Sequence, residues 1–237
     1  MPKPSFAIAF QFTLDKPYLS GDEPQVYIID NPIVKDRLFG MPMIKPSTWK
    51  GHLRQAMREE AGWQPGQPDG EIITRLFGPL KDEVEELTQG YLRFYPTFFE
   101  KISLEIINPH DRKTRAGKVP IPFEAVPAGQ RGAFYLLYTP VGENECVLEL
   151  VKCNLKAVAR GIAAMFTVYA FSAKKTDGYG VAKERIEPVE GMPMLWTNDT
   201  RIAEELDWNL HEDGTAAIER FPTFTALKTL EVSNNAH

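Results

Sequence analysis

Apolar and polar residues alternate along residues 5–13 (SFAIAFQFT), which puts Phe6, Ile8, Phe10 and Phe12 on one face. A period of two predicts a half-buried β-strand. The period changes in the stretch that ends near Ala61, where Trp49, Leu53, Ala56 and Met57 fall on one side of a helix. Ser47 or Thr48 is placed to cap its first turn, and Gly62 to stop it. Lys50, Arg54 and Arg58 follow at intervals of four and line a second, basic stripe on the same helix. A long strand irregular at Pro96 is predicted over 91–107, with further strands over 131–138 and 145–152. Residues 154–171 carry Leu155, Val158, Ala159, Ile162, Met165, Phe166 and Tyr169 at helical spacing, the mark of a strongly amphipathic helix. A short helix near 81–88, a closing strand over 181–188 and a helix over 199–206 complete the predicted elements.

Residues 15–46 are broken by Pro17, Gly21, Pro24, Pro32, Gly40, Pro42 and Pro46, yet contain Val26, Ile28, Ile29, Ile33 and Val34. So long a loop in a compact domain points to function, and its apolar content points to order. Strand, helix, two or three strands, helix, strand is the ferredoxin-like β-α-β-β-α-β arrangement, an α+β class shared with RNA-recognition domains. Fold alone assigns no function.

Composition adds boundaries. At 237 residues and 43% hydrophobic content the chain can bury a sizeable core. No run approaches the roughly 18 apolar residues of a membrane span, and the first residues lack an apolar signal core, so a cytoplasmic protein without membrane contact is expected. Cys146 and Cys153, seven apart on a predicted strand, fall on opposite faces, which disfavours a disulfide or a shared metal. None of His52, His110, His211 and His237 sits at zinc-ligand spacing from a Cys or another His. The net charge of −5 by itself argues against nucleic acid, but the charge is unevenly distributed. Residues 187–237 hold ten acidic and three basic side chains, which leaves residues 1–186 mildly basic and compatible with phosphate contacts.

The helix start is the candidate site. Backbone N–H groups and a partial positive charge there suit a phosphate. Ser47 and Thr48 add hydroxyls, Lys45, Lys50 and Arg54 add charge, and Gly51 permits close approach. Together they could hold a sugar-phosphate backbone without reading bases. The same residues equally describe a capped surface helix with solvated charges.

Residues 27–58, YIIDNPIVKDRLFGMPMIKPSTWKGHLRQAMR, add a resemblance. Ile29-Asp30-Asn31-Pro32-Ile33 followed by Lys35-Asp36, then Ile44-Lys45-Pro46-Ser47-Thr48-Trp49-Lys50-Gly51-His52-Leu53-Arg54, resembles a signature of the RAMP superfamily of CRISPR effectors. Asp111-Arg112 with Thr114, then Phe123-Glu124-Ala125-Val126-Pro127-Ala128-Gly129, resembles that family's central hairpin and Glu-x-Val-Pro-x-Gly strand entry. Residues 173–180 (AKKTDGYG) resemble its glycine-rich loop. Pro46 replaces the family's glycine, the last loop lacks the Gly-Gly start, and the acidic segment past residue 188 has no counterpart.

The resemblance implies a domain over 1–188 with inserted loops at 15–46 and a thumb-like hairpin at about 107–127, followed by an acidic extension over 189–237. It implies a repeating guide-RNA-binding backbone subunit of a type III-like effector. Its partners would be guide RNA, complementary target RNA, further copies of itself and other effector subunits. Asp30 would be the catalytic residue, helping a transient Mg²⁺ or other divalent ion and the RNA's own 2′-OH to cut the target. RNA-binding positions would be Lys45, Ser47, Thr48, Lys50, Gly51 and Arg54, the thumb cations Arg112, Lys113, Arg115 and Lys118, and Lys174, Lys175, Gly178 and Gly180. Asp36 reads as a turn or ion-pair residue, and the run Tyr91, Phe94, Tyr95, Phe98 and Phe99 as core. The rivals are a catalytically silent scaffold, a metal-independent guide-processing ribonuclease using His110 or His52, and an unrelated α+β binding protein.

Overall fold

The computed structural model describes residues 4–21, 31–80, 88–107, 120–140, 148–206, 209–210, 216–218 and 220–230. Strand β1 (Phe6–Leu14) is its centre. Phe6, Ile8, Phe10, Phe12 and Leu14 are all buried, as the alternation predicts. One edge of β1 pairs antiparallel with β7 (Arg131–Tyr138), from Phe6 opposite Tyr138 to Thr13 opposite Arg131. The other edge is shared. β9 (Leu195–Thr197) takes its first half, and β8 (Ala182–Glu187) its second, with an irregular register between Phe12 and Leu14. β3 (Leu92–Phe94) lies outside β7, while β11 (Ala216–Ile218) and β10 (Asn209–Leu210) extend the sheet beyond β9. Two small ribbons stand apart, β2 (Met43–Ile44) with β4 (Thr97–Phe98), and β5 (Ser103–Ile107) with β6 (Ile121–Ala125). All pairings among the described residues are antiparallel, so the chain is of the α+β class.

The helices are α1 (Pro46–Glu60), α2 (Glu71–Phe77), α3 (Leu148–Ala164), α4 (Thr200–Leu206) and α5 (Phe224–Thr229). α1 buries the four predicted residues Trp49, Leu53, Ala56 and Met57. It crosses α3 closely at Gly161, where a Cβ would stand 2.4 Å from Met57 Cγ. Phe12 meets Trp49 edge-on, with ring centroids 6.0 Å apart, and Phe10 meets Phe166 and Phe224 at 5.3 and 5.4 Å. Edge-to-face geometry adds about 0.5–1.5 kcal/mol per pair beyond area burial. The indole N–H of Trp49 donates to Thr97 Oγ1 at 3.1 Å, and that hydroxyl donates to the Ala133 carbonyl at 2.6 Å.

Three expectations change. Residues 148–152, read as strand, open α3, because Leu148, Val151 and Leu155 also repeat at helical spacing and pack on the core. Cys153 is therefore an exposed helix residue; Cys146 lies outside the described residues. α3 then continues as a π-helical turn, Met165–Tyr169. Residues 91–107 are not one strand. β3, β4 and β5 join three different sheets, and Pro96, which lacks an N–H to donate, falls between the first two. The predicted helix near 81–88 lies almost wholly outside the described residues, whereas α2 had no sequence reading. The acidic segment past residue 188 enters the same sheet through β9 and β11, and Phe224 of α5 stacks on Phe166. Among the described residues no helix is long and apolar enough to cross a membrane.

Candidate nucleic-acid interface

Helix α1 begins two residues earlier than a Ser47 cap requires. Lys45 is its N-cap, without a side-chain cap bond, and Pro46 takes the first helical position. Proline's fixed φ suits that place, and its missing N–H is one that would go unpaired anyway. Ser47 and Thr48 thus sit within the first turn, and Ser47 is exposed. No acidic residue occupies that turn, so no side chain of the turn itself offsets the helix's positive end. Gly51 is exposed, and a Cβ on it would meet nothing within 4 Å. Glycine inside a helix costs about 1 kcal/mol relative to alanine. The fold offers no steric reason for that cost, and the space above Gly51 is open to a partner.

The basic stripe divides. Arg54 and Arg58 both bind Asp69, whose side chain is fully buried beneath them, with Arg54 Nε donating to Oδ2 at 2.7 Å. Arg58 also lies 4.6 Å from the centroid of the Trp63 ring. Burial alone would raise the Asp69 carboxyl, but the hydrogen bonds and charges of Arg58 and Arg54 hold it below the usual carboxylate range. Lys50 is the exposed member of the stripe. Its ammonium is pulled down by burial and by the neighbouring charges of Arg54 and Arg93, which mark a locally positive field. His52 is pushed down to about 4 by burial and then by the charge of Lys175, so it is neutral at pH 7.

The glycine-rich loop is pinned beside the chain leaving β1. Gly180 N–H donates to the Pro17 carbonyl at 2.8 Å, and Ala173 N–H to that of Leu19 at 2.9 Å. Ser172 Oγ accepts from Leu19 N–H and donates to Leu19 O. Gly180 has φ +71°, and a Cβ there would lie 2.3 Å from Ser172 Cβ, so only glycine fits. The two loop lysines diverge. Lys175 lies close enough to α1 for its charge to act on His52 and for Glu59 to act on it in turn. Lys174, left-handed at φ 58°, sets its ammonium 4.5 Å from the centroid of Phe123 on β6.

β6 also holds the segment next to Asp30. Glu124 binds Lys35 Nζ at 2.7 Å and accepts from Ile33 N–H at 3.1 Å. Its own N–H donates to the Asn31 carbonyl at 3.0 Å, and Asn31 Nδ2 donates to Pro122 O at 3.3 Å. Asp36 accepts from Leu38 and Phe39 N–H groups and makes the tight turn that follows. Asp30 itself lies outside the described residues. So do His110, Arg112, Lys113, Arg115 and Lys118, which belong to the 108–119 stretch joining β5 to β6. Of the expected residues, the fold places Lys45, Ser47, Thr48, Lys50 and Gly51 at the start of α1, sets Lys175 within electrostatic reach of His52 and Glu59 further along that helix, and ties Lys174 to β6. It commits Arg54 to Asp69. Among the described residues no group of three or more His, Cys, Asp or Glu could hold a metal ion.

Asp69, Phe123 and Glu124 carried no role in the sequence reading. Glu124 did stand in the Glu-x-Val-Pro-x-Gly match, whereas nothing around Asp69 signalled its two arginines.

The sequence profile of the RAMP superfamily matches residues 13–183. The CRISPR system Cms endoribonuclease Csm3 of Enterococcus italicus is 26% identical over 145 residues, covering 54% of this chain and 67% of that protein. The protein of the same name from Streptococcus thermophilus is 25% identical over 194 residues, covering 75% and 84%. A chain of the Csm3–Csm4 subcomplex in the type III-A CRISPR-Cas interference complex superposes with a TM-score of 0.54 at 15% identity, covering 97% of this chain and 96% of that one. A chain of the type III-B Cmr-beta complex bound to cognate target RNA gives 0.52 at 14% identity; there 78% of this chain covers 61% of the other, under two thirds of its length. At such identities the two structures establish a shared fold. With its profile matched from the end of β1 to the start of β8, the chain belongs to the RAMP superfamily.

Proposed function

We propose that this chain is a guide-RNA-binding backbone subunit of a type III-like CRISPR effector that cleaves complementary target RNA. The observation that carries the reading is the meeting of three elements. The open first turn of α1, with no acid of its own and with bare Gly51, leads into the stretch from His52 to Glu59 that Lys175 of the glycine loop approaches. That loop in turn touches the β6 strand that anchors Asn31. A guide backbone would lie along α1, held by phosphate contacts from Lys45, Ser47, Thr48, Lys50 and Lys175, and the target would face the Asn31–β6 side. The names of the Csm3 relatives and the target RNA in the Cmr-beta complex support this assignment. The core reads as ferredoxin-like, supported by the strand order β8-β1-β7-β3 with α1 and α3 against one face. Further copies of the chain and other effector subunits would be its neighbours.

Asp30 is the proposed catalytic residue, supported by its place one residue before the anchored Asn31 and by the family's motif. The described side chains do not build a metal site. A divalent ion would rest on Asp30 and on RNA phosphates with retained waters, and would supply charge stabilisation at the phosphate. Activity then depends on bound RNA.

The test assembles the complex with guide, complementary RNA and Mg²⁺, and compares the parent with Asp30→Ala. Regularly spaced cuts in the parent that vanish in the variant, with guide binding intact, are expected. Cuts that persist would remove Asp30 from the chemistry, and no cuts in either protein would make the subunit a silent scaffold.

A further inference from the structure

The helices cover one face of the large sheet, and the opposite face carries two adjoining grooves. The first, of about 470 Å³, is lined by Ala7, Ala9, Tyr95, Phe98, Tyr135 and Met192. Tyr95, Phe98 and Met192 are 44%, 41% and 44% exposed. The second, of about 290 Å³, holds Arg131, Lys183 and Arg185 beside Gln11 and Thr13, with Glu187 as its one acid. Arg131 stays 3.9 Å from Glu187 and keeps 67% of its side chain in solvent. The strand register joins the grooves. Ala7, Ala9, Gln11 and Thr13 face Leu137, Tyr135, Ala133 and Arg131 in turn, so all lie on one face. At about 3.3 Å per residue, Tyr135 and Arg131 are roughly 13 Å apart.

We propose that this open face is a second RNA surface, binding single-stranded RNA across the sheet from α1. Bases stack on Tyr95, Phe98 and Tyr135, and phosphates meet Arg131, Lys183 and Arg185. Single strands are held by aromatic platforms followed by cations, since every base offers a π-face and every step a phosphate. Both components occur here on one face, with Tyr135 and Arg131 on the same strand and the other aromatics and cations on either side of it. An apolar protein partner would need the first groove alone. The three cations against one acid beside it give the face a charge that complements a phosphate backbone. α1 packs beneath Phe12, on the far side of β1, so the surface is separate from the proposed guide site.

The experiment measures anisotropy of a fluorescein-labelled oligouridine of about 15 nucleotides on the full chain. The background is Lys50→Ala with Lys175→Ala, so that the α1 site does not mask the sheet. Tyr95→Ala with Phe98→Ala is expected to weaken the remaining binding by about tenfold or more. Arg131→Ala with Lys183→Ala is expected to reduce the slope of log K against log salt by about 1.4. Ultraviolet crosslinking should place uridine on peptides containing Tyr95, Phe98 or Tyr135. Unchanged affinity and slope, with no adduct on those peptides, would overturn the proposal and leave the guide reading standing. A change confined to oligomeric mass in light scattering would make the face a protein interface and equally overturn it. A parent chain that binds no RNA at all would sink both.

Discussion

Replacing Asp69 leaves two guanidiniums of the basic helix without their shared carboxylate. The side chain of Asp69 is covered although its backbone is partly exposed, and the two arginines above it keep only 12% and 13% of their side chains in solvent. Removing one partner of a buried ion pair costs about 3–5 kcal/mol, because a charge is left uncompensated. Both guanidiniums can turn partly toward water, so Asp69→Ala belongs at the lower end, about 3 kcal/mol, and Asp69→Asn, which still accepts a hydrogen bond, at about 2. At roughly 2–4 °C per kcal/mol for a chain of this size, Asp69→Ala should lower Tm by about 6–12 °C. The pH dependence fixes the sign. The folded carboxyl titrates below its unfolded value of about 3.9, so its stabilisation is present above that value and is lost as pH falls through the folded one. Urea midpoints of parent and Asp69→Asn should therefore differ at pH 7 and converge in acid. The same change removes the negative charge that neutralises Arg54 and Arg58 on the basic stripe, so RNA affinity should hold or rise while stability falls. A Tm within about 1 °C of the parent at pH 7, or a gap unchanged in acid, would show that the Asp69 carboxylate does not hold the arginine pair in place.

Lys50→Ala with Lys175→Ala should weaken guide RNA about tenfold and reduce the salt slope by about 1.4, read by anisotropy across a KCl series. Gly51→Ala should separate stability from binding: Tm rises, since helix propensity gains up to about 1 kcal/mol and no atom obstructs the methyl, while guide affinity falls. His52 should contribute stability above its unfolded value of about 6.5 that is lost as pH falls toward its folded value of about 4. His52→Gln should flatten that part of the stability curve in urea titrations, and a curve identical to the parent's would count against the burial inferred for the ring.

Legibility in the sequence followed the range of the interactions involved. β1, β7 and the buried face of α1 were readable because alternation and helical spacing are local and agree with the core they enter. The start of α3 was not, since Leu148 and Leu150 alternate as in a strand while Leu148, Val151 and Leu155 repeat at helical spacing, and packing decided between the two periods. The split of residues 91–107 depends on partners far along the chain. Phe98 pairs with Met43 and Leu92 with Tyr138. Tyr95 and Phe98 were read as core because an aromatic run has no sequence mark for the side of a sheet it reaches.

The basic stripe gives the sharpest case. Lys50, Arg54 and Arg58 repeat at the interval that predicts a shared helix face, and they do share it. Whether a cation on that face can serve a phosphate depends on a carboxylate that arrives from a Pro- and Gly-rich loop, eleven residues beyond Arg58. Asp69 engages two of the three guanidinium and ammonium groups and so sets the charge that faces solvent at Lys50 rather than further along the helix. Position along α1 therefore matters more than the count of basic residues. A phosphate drawn to this helix is drawn to its first turns, where Lys50 lies beside bare Gly51 and close to the acid-free N-terminus.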